Sequence, residues 1–371
     1  MKMQLHFKIG LGLIITLLYT ANGFAQTATD IADKMFSDAT ALPGVPGINV
    51  AVANESGVLW ADGFGFANIE YDLPMIPATK MRIGSVAKVI TTAALMKMVE
   101  RGKIDLDTDI RDYVPEWPAK HAKITIRQLT AHVSGVRHYA GNEFASNVEY
   151  ENSIAALSMF KDSPLKFAPG SDYSYSTYAW TLIAAAMESV SGNDFKAIIR
   201  DEVLNPLNMT GTTFDDAAPL IENRQGSYDY VGGALVNTPA VNNSYKYAGG
   251  GFLATPTDIV NFAMAHTKSG YLKSETLDEM FTILPPSFHG IGWVVGFDRY
   301  LNNFSGDMLA IMKEHPNTVM HSGGSAGGLT MMMLCLDHNR AVALTKNVGN
   351  GSDANHFELA LRTLDIFHKN D

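Results

Sequence analysis

The chain has 371 residues, 28 Lys+Arg against 38 Asp+Glu for a formal net charge of −10, 46% hydrophobic and 18% charged residues, and one cysteine. That balance buries a large core and excludes a disordered or fibrous chain, while the acidic excess argues against a protein that tracks nucleic-acid phosphates. A single cysteine excludes an intramolecular disulfide and any zinc site built on several thiolates.

In chain order, the first segment reads as an export signal over residues 1–25. Lys2 and Lys8 give a positive start, Ile9 to Tyr19 an apolar stretch, and Gly23-Phe24-Ala25 small residues at the cleavage position. The apolar run is short for a membrane span, and no later segment is long and apolar enough to cross a bilayer. A periplasmic or secreted bacterial protein is the expectation. A short helix follows at about Thr29 to Asp38, then two strands, Pro46 to Ala53 and Gly57 to Gly65, joined by a turn at Asn54 to Gly57. From about 86 to 284 the pattern is mainly helical, with apolar spacing in Ser85 to Arg101, Ile126 to Val133, Asn152 to Phe160, Ala179 to Val190 and Thr257 to His266. Strand signals return in Ile291 to Phe297, Thr318 to His321, Leu329 to Leu336 and Ala341 to Thr345, before a closing helix from about Asp353 to Phe367. Strands at both ends with helices between them predict an α/β (α+β) fold: an antiparallel sheet built from both termini (26–85 and about 285–371), flanked by helices, with an inserted helical subdomain.

The most informative stretch is RIGSVAKVITTAALMKMVERG. From Ser85 its apolar residues leave almost no polar face, so the helix should be central and buried. Lys88 is the only charge between Arg82 and Lys97; a lysine so placed must be paired or lose its proton more easily than in water, one route to a catalytic base. The spacing puts Ser85 and Lys88 on one helix face, with Ser85 in the first turn where free N–H groups favour negative charge. Ser-x-x-Lys also occurs at Ser158/Lys161 and Ser163/Lys166, where the serines read as surface or capping residues. For Ser85 itself the plain alternative is a helix-start serine beside a salt-bridged lysine.

Further segments decide the matter. GFGFANIEYDLPMIPATKMRIGSVAK, IDLDTDIRDYVPEWP, ITIRQLTAHVSG, PGSDYSYSTYAWTLIAAAMESVSG, AGGGFLATPTDIVNFA and HSGGSAGG together resemble the serine β-lactamase-like family of penicillin-recognising hydrolases. That family includes class C β-lactamases, D-alanyl-D-alanine carboxypeptidases, D-aminopeptidases and carboxylesterases. The resemblance implies a β-lactamase/transpeptidase-like fold, with Ser85 as nucleophile and Lys88 as its basic neighbour. The family's Tyr-x-Asn motif falls on Tyr175-Ser176-Thr177, with Thr177 in place of asparagine; literal Tyr-x-Asn strings at Tyr150 and Tyr300 lack the Pro-Gly lead and the apolar helix that follows. Tyr175 would shuttle the proton of the nucleophile, which asks that its ordinary pKa of about 10 be lowered by a charge such as Lys88. The family's third motif corresponds to His321-Ser322-Gly323, on a strand rich in glycine where a substrate amide can pair with the backbone. By resemblance, the N–H groups of Ser85 and Gly324 form the oxyanion hole, with Thr177, Ser322 and Gly323 beside the substrate.

The expected chemistry is acyl transfer through a serine-bound acyl-enzyme, with no cofactor and no metal. The expected partner is a small-molecule ester, peptide or β-lactam-like substrate, and not nucleic acid or a membrane; oligomeric state stays open. Thr177 lacks the carboxamide that could bond an acylamido group, and His321 lacks a fixed charge for a substrate carboxylate. Both favour an esterase or small-peptide hydrolase over an efficient β-lactamase, and Ser-Thr after the tyrosine resembles the mitochondrial serine β-lactamase-like proteins. The alternatives are a true class C-like β-lactamase, a penicillin-binding receptor that acylates and stalls, and a scaffold without turnover. Gly249 to Gly251 fit a pocket wall or a tight turn equally well, His132 to Gly135 should support the site from behind, and Trp293 and Cys335 read as core.

Overall fold

The computed structural model describes residues 27–370, so the expected export signal lies outside the described residues. The main sheet is antiparallel throughout and closes the two ends of the chain on each other. Its central pair is β1 (Gly47–Asn54) against β5 (Arg340–Lys346), with Ile48 opposite Lys346 and Ala53 opposite Ala341. Outward from β1 lie β2 (Gly57–Asn68) and a two-residue strand, Leu73–Pro74. Outward from β5 lie β4 (Gly328–Cys335) and then β3 (Thr318–Ser325), the other edge. The β1–β2 turn forms where expected: Asn54 Oδ1 accepts the Ser56 N–H at 2.8 Å, and Gly57 takes a φ of +120° that side chains disfavour.

Both faces of the sheet are covered, and the strands show it residue by residue. Ile48, Val50 and Val52 of β1, Met331 and Met333 of β4, and Val342 and Leu344 of β5 pack into one core; Ala51, Ala53, Met332, Leu334, Ala341 and Ala343 pack into another. Side chains alternate across a strand, so a run such as Met331-Met332-Met333 is what a strand buried on both sides requires. The first core is roofed by helix α1 (residues 27–40) and the C-terminal helix α5 (His356–Lys369). Phe36 of α1 stacks on Trp60 and Phe64, and Phe367 of α5 stacks on Trp60, at centroid distances of 5.4–5.9 Å. The second core holds the buried helices α2 (Ala87–Glu100), α3 (Tyr178–Ser191) and α4 (Pro256–Met264). The α+β class and the sheet built from both ends are as the sequence implies.

Several expectations are corrected. Ile291 to Phe297 is not a strand: Val294 alone bridges to Met320, because Gly290 and Gly292 press their backbones against Met280 and Thr92 where a side chain has no room, and Phe297–Asn303 then turns into a 3-10 helix. Asn152 to Phe160 is a four-residue α-helix, Ser153–Ala156, followed by a 3-10 turn. The middle of the chain also carries strands that its pattern hides, namely Met81–Arg82, Thr213–Phe214 and Phe252–Ala254 in one small sheet and a Tyr228–Val231/Ala234–Asn237 hairpin.

Candidate active site

Ser85 sits in a 3-10 turn, Gly84–Val86, that leads into α2. The turn is pressed directly onto β3. Gly84 has a φ of +49°, and a Cβ there would stand 2.6 Å from the Gly324 carbonyl oxygen; a Cβ on Gly323 would collide with the Ile83 carbonyl. Only bare backbone on both sides allows this approach. The β3 edge beside Ser85 is open for pairing. Met320 exchanges both backbone hydrogen bonds with Val294, each at 3.0 Å, so the strand's period of two turns the N–H and C=O of Ser322 and Gly324 to that same edge. This places the Gly324 N–H on the side where an oxyanion donor is expected.

Lys88, one turn further along, is fully buried, and among the described residues no carboxylate is ion-paired with it. Its Nζ lies 3.0 Å from Ser85 Oγ, 3.3 Å from Thr177 Oγ1 and 2.5 Å from the Gly249 carbonyl oxygen. Burial, reinforced by the charge of Lys246, holds its pKa well below the ordinary lysine value. A neutral amine has two N–H bonds and one lone pair, and the surroundings match that inventory: Gly249 O and Thr177 Oγ1 accept the two hydrogens, leaving the lone pair for the Ser85 hydroxyl. The salt-bridged alternative for Lys88 is thereby removed.

Tyr175 Oη donates to Ser85 Oγ at 2.7 Å. Here the expectation fails on one point: burial pushes the Tyr175 pKa up, and the hydrogen bond with Ser85 only partly opposes it. Burial that disfavours a charge on Lys88 also weakens its pull on the phenol proton, so Tyr175 keeps the proton it donates to Ser85. Two histidines pin its segment. The His132 ring lies 4.3 Å from that of Tyr175 and its Nδ1 accepts the Ser176 N–H at 3.1 Å; His138 Nδ1 accepts the Thr177 N–H at 3.1 Å. An Nδ1 that accepts must carry its lone pair there, which fixes the neutral Nε2–H tautomer. Burial favours the same form, holding His132 well below its ordinary value and His138 at about 4.

His321 is placed differently from its expected role. It is buried, its Nδ1 lies 2.6 Å from the Ser322 carbonyl oxygen, and burial lowers its pKa to about 3. It makes no described hydrogen bond to Ser85, Lys88 or Tyr175, and it is absent from the walls of the cleft. Ser322 is exposed and Gly323 buried against the serine turn. Ser158 and Ser163 are ordinary structural serines, the first donating to Ala155 O and the second accepting from Arg137. Trp293 is core.

Ser85, Tyr175, Thr177 and Gly324 open onto a cleft with about 510 Å³ of empty space, counting its mouth. Several of its walls were not read from the sequence. Gly249 and Gly250 line it, and a Cβ on Gly249 would stand 2.5 Å from Thr177 Cγ2, which settles the open reading of that glycine run. Arg82 donates to Asp215 at 2.7 Å. Lys246 donates to Phe144 O at 2.9 Å, and burial followed by the Arg82 charge lowers its pKa to about 7, with Asp215 opposing. His138 and Asp215 reach the cleft from loops and Lys246 from the single-turn 3-10 helix Ser244–Lys246, where no periodicity or motif announces them. A second groove, lined by Phe144, Pro239, Val241, Ser325 and Leu329, continues from the cleft past Gly324.

Known proteins match this arrangement over most of its length. Human mitochondrial serine β-lactamase-like protein LACTB is 33% identical over 327 residues, covering 65% of this chain and 60% of that protein; the chain thus spans well under two thirds of this relative. Among solved structures, EstCE1, described as a hydrolase with promiscuous acyltransferase activity, aligns with a TM-score of 0.78 at 19% identity over 93% of this chain and 99% of that one. The D-amino acid amidase of Ochrobactrum anthropi SV3 aligns with a TM-score of 0.77 at 20% identity, over 92% and 99%. These two show a shared fold. The family model for β-lactamase matches residues 32–365, nearly everything described, and the chain belongs to the β-lactamase family of serine hydrolases.

Proposed function

We propose that the chain is an exported serine hydrolase that forms an acyl-enzyme at Ser85 with ester or small peptide amide substrates, and turns over β-lactams slowly or not at all. The observation that carries this reading is the position of Ser85 Oγ, 3.0 Å from the Nζ of a buried Lys88 whose charge burial disfavours and 2.7 Å from Tyr175 Oη, at the mouth of a cleft. Lys88 takes the serine proton as Ser85 attacks the carbonyl. The N–H groups of Ser85 and Gly324 receive the oxyanion, and Tyr175, already protonated, passes its proton to the leaving group while drawing another from Lys88. Water then hydrolyses the acyl-enzyme by the reverse relay.

The cleft's charges bear on the substrate. Among the described residues lining it, Arg82 is paired with Asp215, Lys246 is near half charge at neutral pH, and His138 is uncharged. A carboxylate as carried by β-lactams meets no unpaired permanent cation there. Thr177 offers Lys88 an oxygen but no carboxamide to the substrate. The groove beyond Gly324, apolar in part with Asp229, Thr238 and Asn350 also in its lining, has room for an acyl or peptide chain, and the activities described for the similar structures, an amidase and a hydrolase with acyltransferase activity, are of this class. The leader over 1–25 supports a periplasmic or secreted location.

The test compares purified protein with Ser85→Ala on a chromogenic acetyl ester, a D-amino acid amide and a chromogenic cephalosporin. Ester or amide turnover should fall by about 10³-fold or more in the variant, with cephalosporin turnover far slower in the parent. Fast cephalosporin hydrolysis without esterase or amidase activity overturns the substrate assignment; a permanent penicillin adduct at Ser85 with no turnover of anything identifies a receptor.

A further inference from the structure

At the end of the β3–β4 hairpin remote from Ser85, three side chains with no part in the hydrolytic site turn their donor atoms toward one point. His315 Nδ1 is 3.1 Å from His338 Nδ1 and 3.4 Å from Cys335 Sγ, and Cys335 Sγ is 3.3 Å from His338 Nδ1. They come from separate elements: His315 follows the helix Gly306–Glu314, Cys335 ends β4, and His338 lies in the turn to β5. The strand register opposes Cys335 to Thr318, and Thr318 Oγ1 donates to the His315 carbonyl at 2.8 Å, which ties the first two ligands together.

We propose that His315, Cys335 and His338 form a binding site for one zinc-class divalent cation. The separations carry the argument. Bonds of about 2.0–2.1 Å to nitrogen and about 2.3 Å to sulfur in a tetrahedron require about 3.3 Å between two nitrogens and about 3.6 Å between nitrogen and sulfur. The observed 3.1, 3.4 and 3.3 Å fall within about 0.3 Å of that pattern. Hydrogen bonding alone satisfies such a triangle poorly, because the Nδ1 of a neutral imidazole either donates or accepts and cannot do both. Binding replaces the Cys335 thiol proton, released to water, with an Sγ–metal bond; two neutral imidazoles complete three ligands, and the half-buried side of His338 leaves the fourth position to water.

The surroundings supply the outer partners that metal-bound histidines use. Asp365 of α5 holds a carboxylate oxygen 3.6 Å from His315 Nε2, longer than a hydrogen bond but close enough to offset the charge of the ion. Lys369 bridges Asp365 and Glu314, and the His368 ring stacks on His338 at 3.8 Å. One nitrogen-rich, single-thiolate site selects a borderline ion over magnesium or calcium, which prefer oxygen. Along β3 the cluster lies about 20 Å from Gly324, so the cation would brace the hairpin and not enter the hydrolysis.

The experiment titrates the chelator-treated protein with Co²⁺ and then Zn²⁺. One equivalent of cobalt should give a thiolate-to-metal charge-transfer absorption, displaced by zinc, and Cys335 is the one cysteine that can produce it. Zinc should raise the thermal midpoint with one-site concentration dependence. Asp365→Asn should weaken binding roughly 10–100-fold and His338→Ala at least as much, while ester turnover by His338→Ala matches the parent. Absence of the thiolate band, or the same cobalt and zinc response in His338→Ala, overturns the site; should Cys335→Ser fail to fold, these two readouts still decide it.

Discussion

At the scale of single residues, catalysis depends on which proton sits where. Burial holds the Lys88 pKa well below its ordinary value and raises that of Tyr175, which favours a free amine and a neutral phenol, both aimed at Ser85 Oγ. Lys88→Met and Tyr175→Phe should each lower kcat/KM for an ester by about 10²–10⁴-fold, with KM changed little. The parent's kcat/KM should fall as acid protonates Lys88, at a pH well below the ordinary lysine range, and should show no fall up to about pH 10, where an unperturbed tyrosine would ionise. A profile that loses activity near pH 10 would return Tyr175 to the role of a lowered-pKa base. Ser85 and Lys88 were legible because a lone charge in an apolar helix needs an explanation and the further segments resembling the family supplied one. The partners that keep Lys88 neutral were not, since Thr177 and Gly249 meet it only after distant segments pack together.

Among the elements, strand β3 and the Ser85 turn act as one unit because glycines let their backbones touch. Gly323→Ala puts a Cβ into the Ile83 carbonyl. It should lower the denaturant midpoint by an amount equivalent to about 1–3 kcal/mol, the usual cost of overpacking, and reduce ester turnover more than stability alone explains. Ser322→Ala, on an exposed side chain of the same strand, should leave the midpoint nearly unchanged. The strands of the main sheet were legible as apolar runs, and α5 as an apolar stripe. The short strands around Arg82, Phe214 and Phe252 were not, since two or three residues carry no period. The stretch from Ile291 misled because its β-branched composition suits a strand, while its glycines commit it to close packing against helices.

For the whole molecule, buried titratable groups make stability depend on pH in two windows. Burial holds His138, His266 and His356 at about 4 and His321 at about 3, against about 6.5 in the unfolded chain. Between those values the unfolded chain binds more protons, so stability is lost as pH falls from about 6.5 toward 4, by roughly 3 kcal/mol for a fully buried histidine such as His266. Lys246, at about 7 when folded and about 10.4 when unfolded, makes stability rise with pH across that interval. Denaturation followed from pH 4 to 10 should show both slopes, and Lys246→Met should reduce the second, to which the buried Lys88 and Lys346 also contribute, while leaving the first. A flat curve below pH 6.5 would mean that these histidines are not held neutral by the fold. No helix among the described residues is long and apolar enough to cross a membrane.

The contact between Gly84 and Gly324 joins the two ends of the sequence at the point of chemistry. Ser85, the proposed nucleophile, comes from the first quarter of the chain and Gly324, its proposed oxyanion donor, from the last, and neither half holds both. Hydrolysis at Ser85, as proposed, would therefore appear only once the long loop between them has closed. A molecule caught with either end undocked would have the serine and the lysine but not the Gly324 backbone beside them, and the proposed hydrolase would stay chemically silent until its folding is complete.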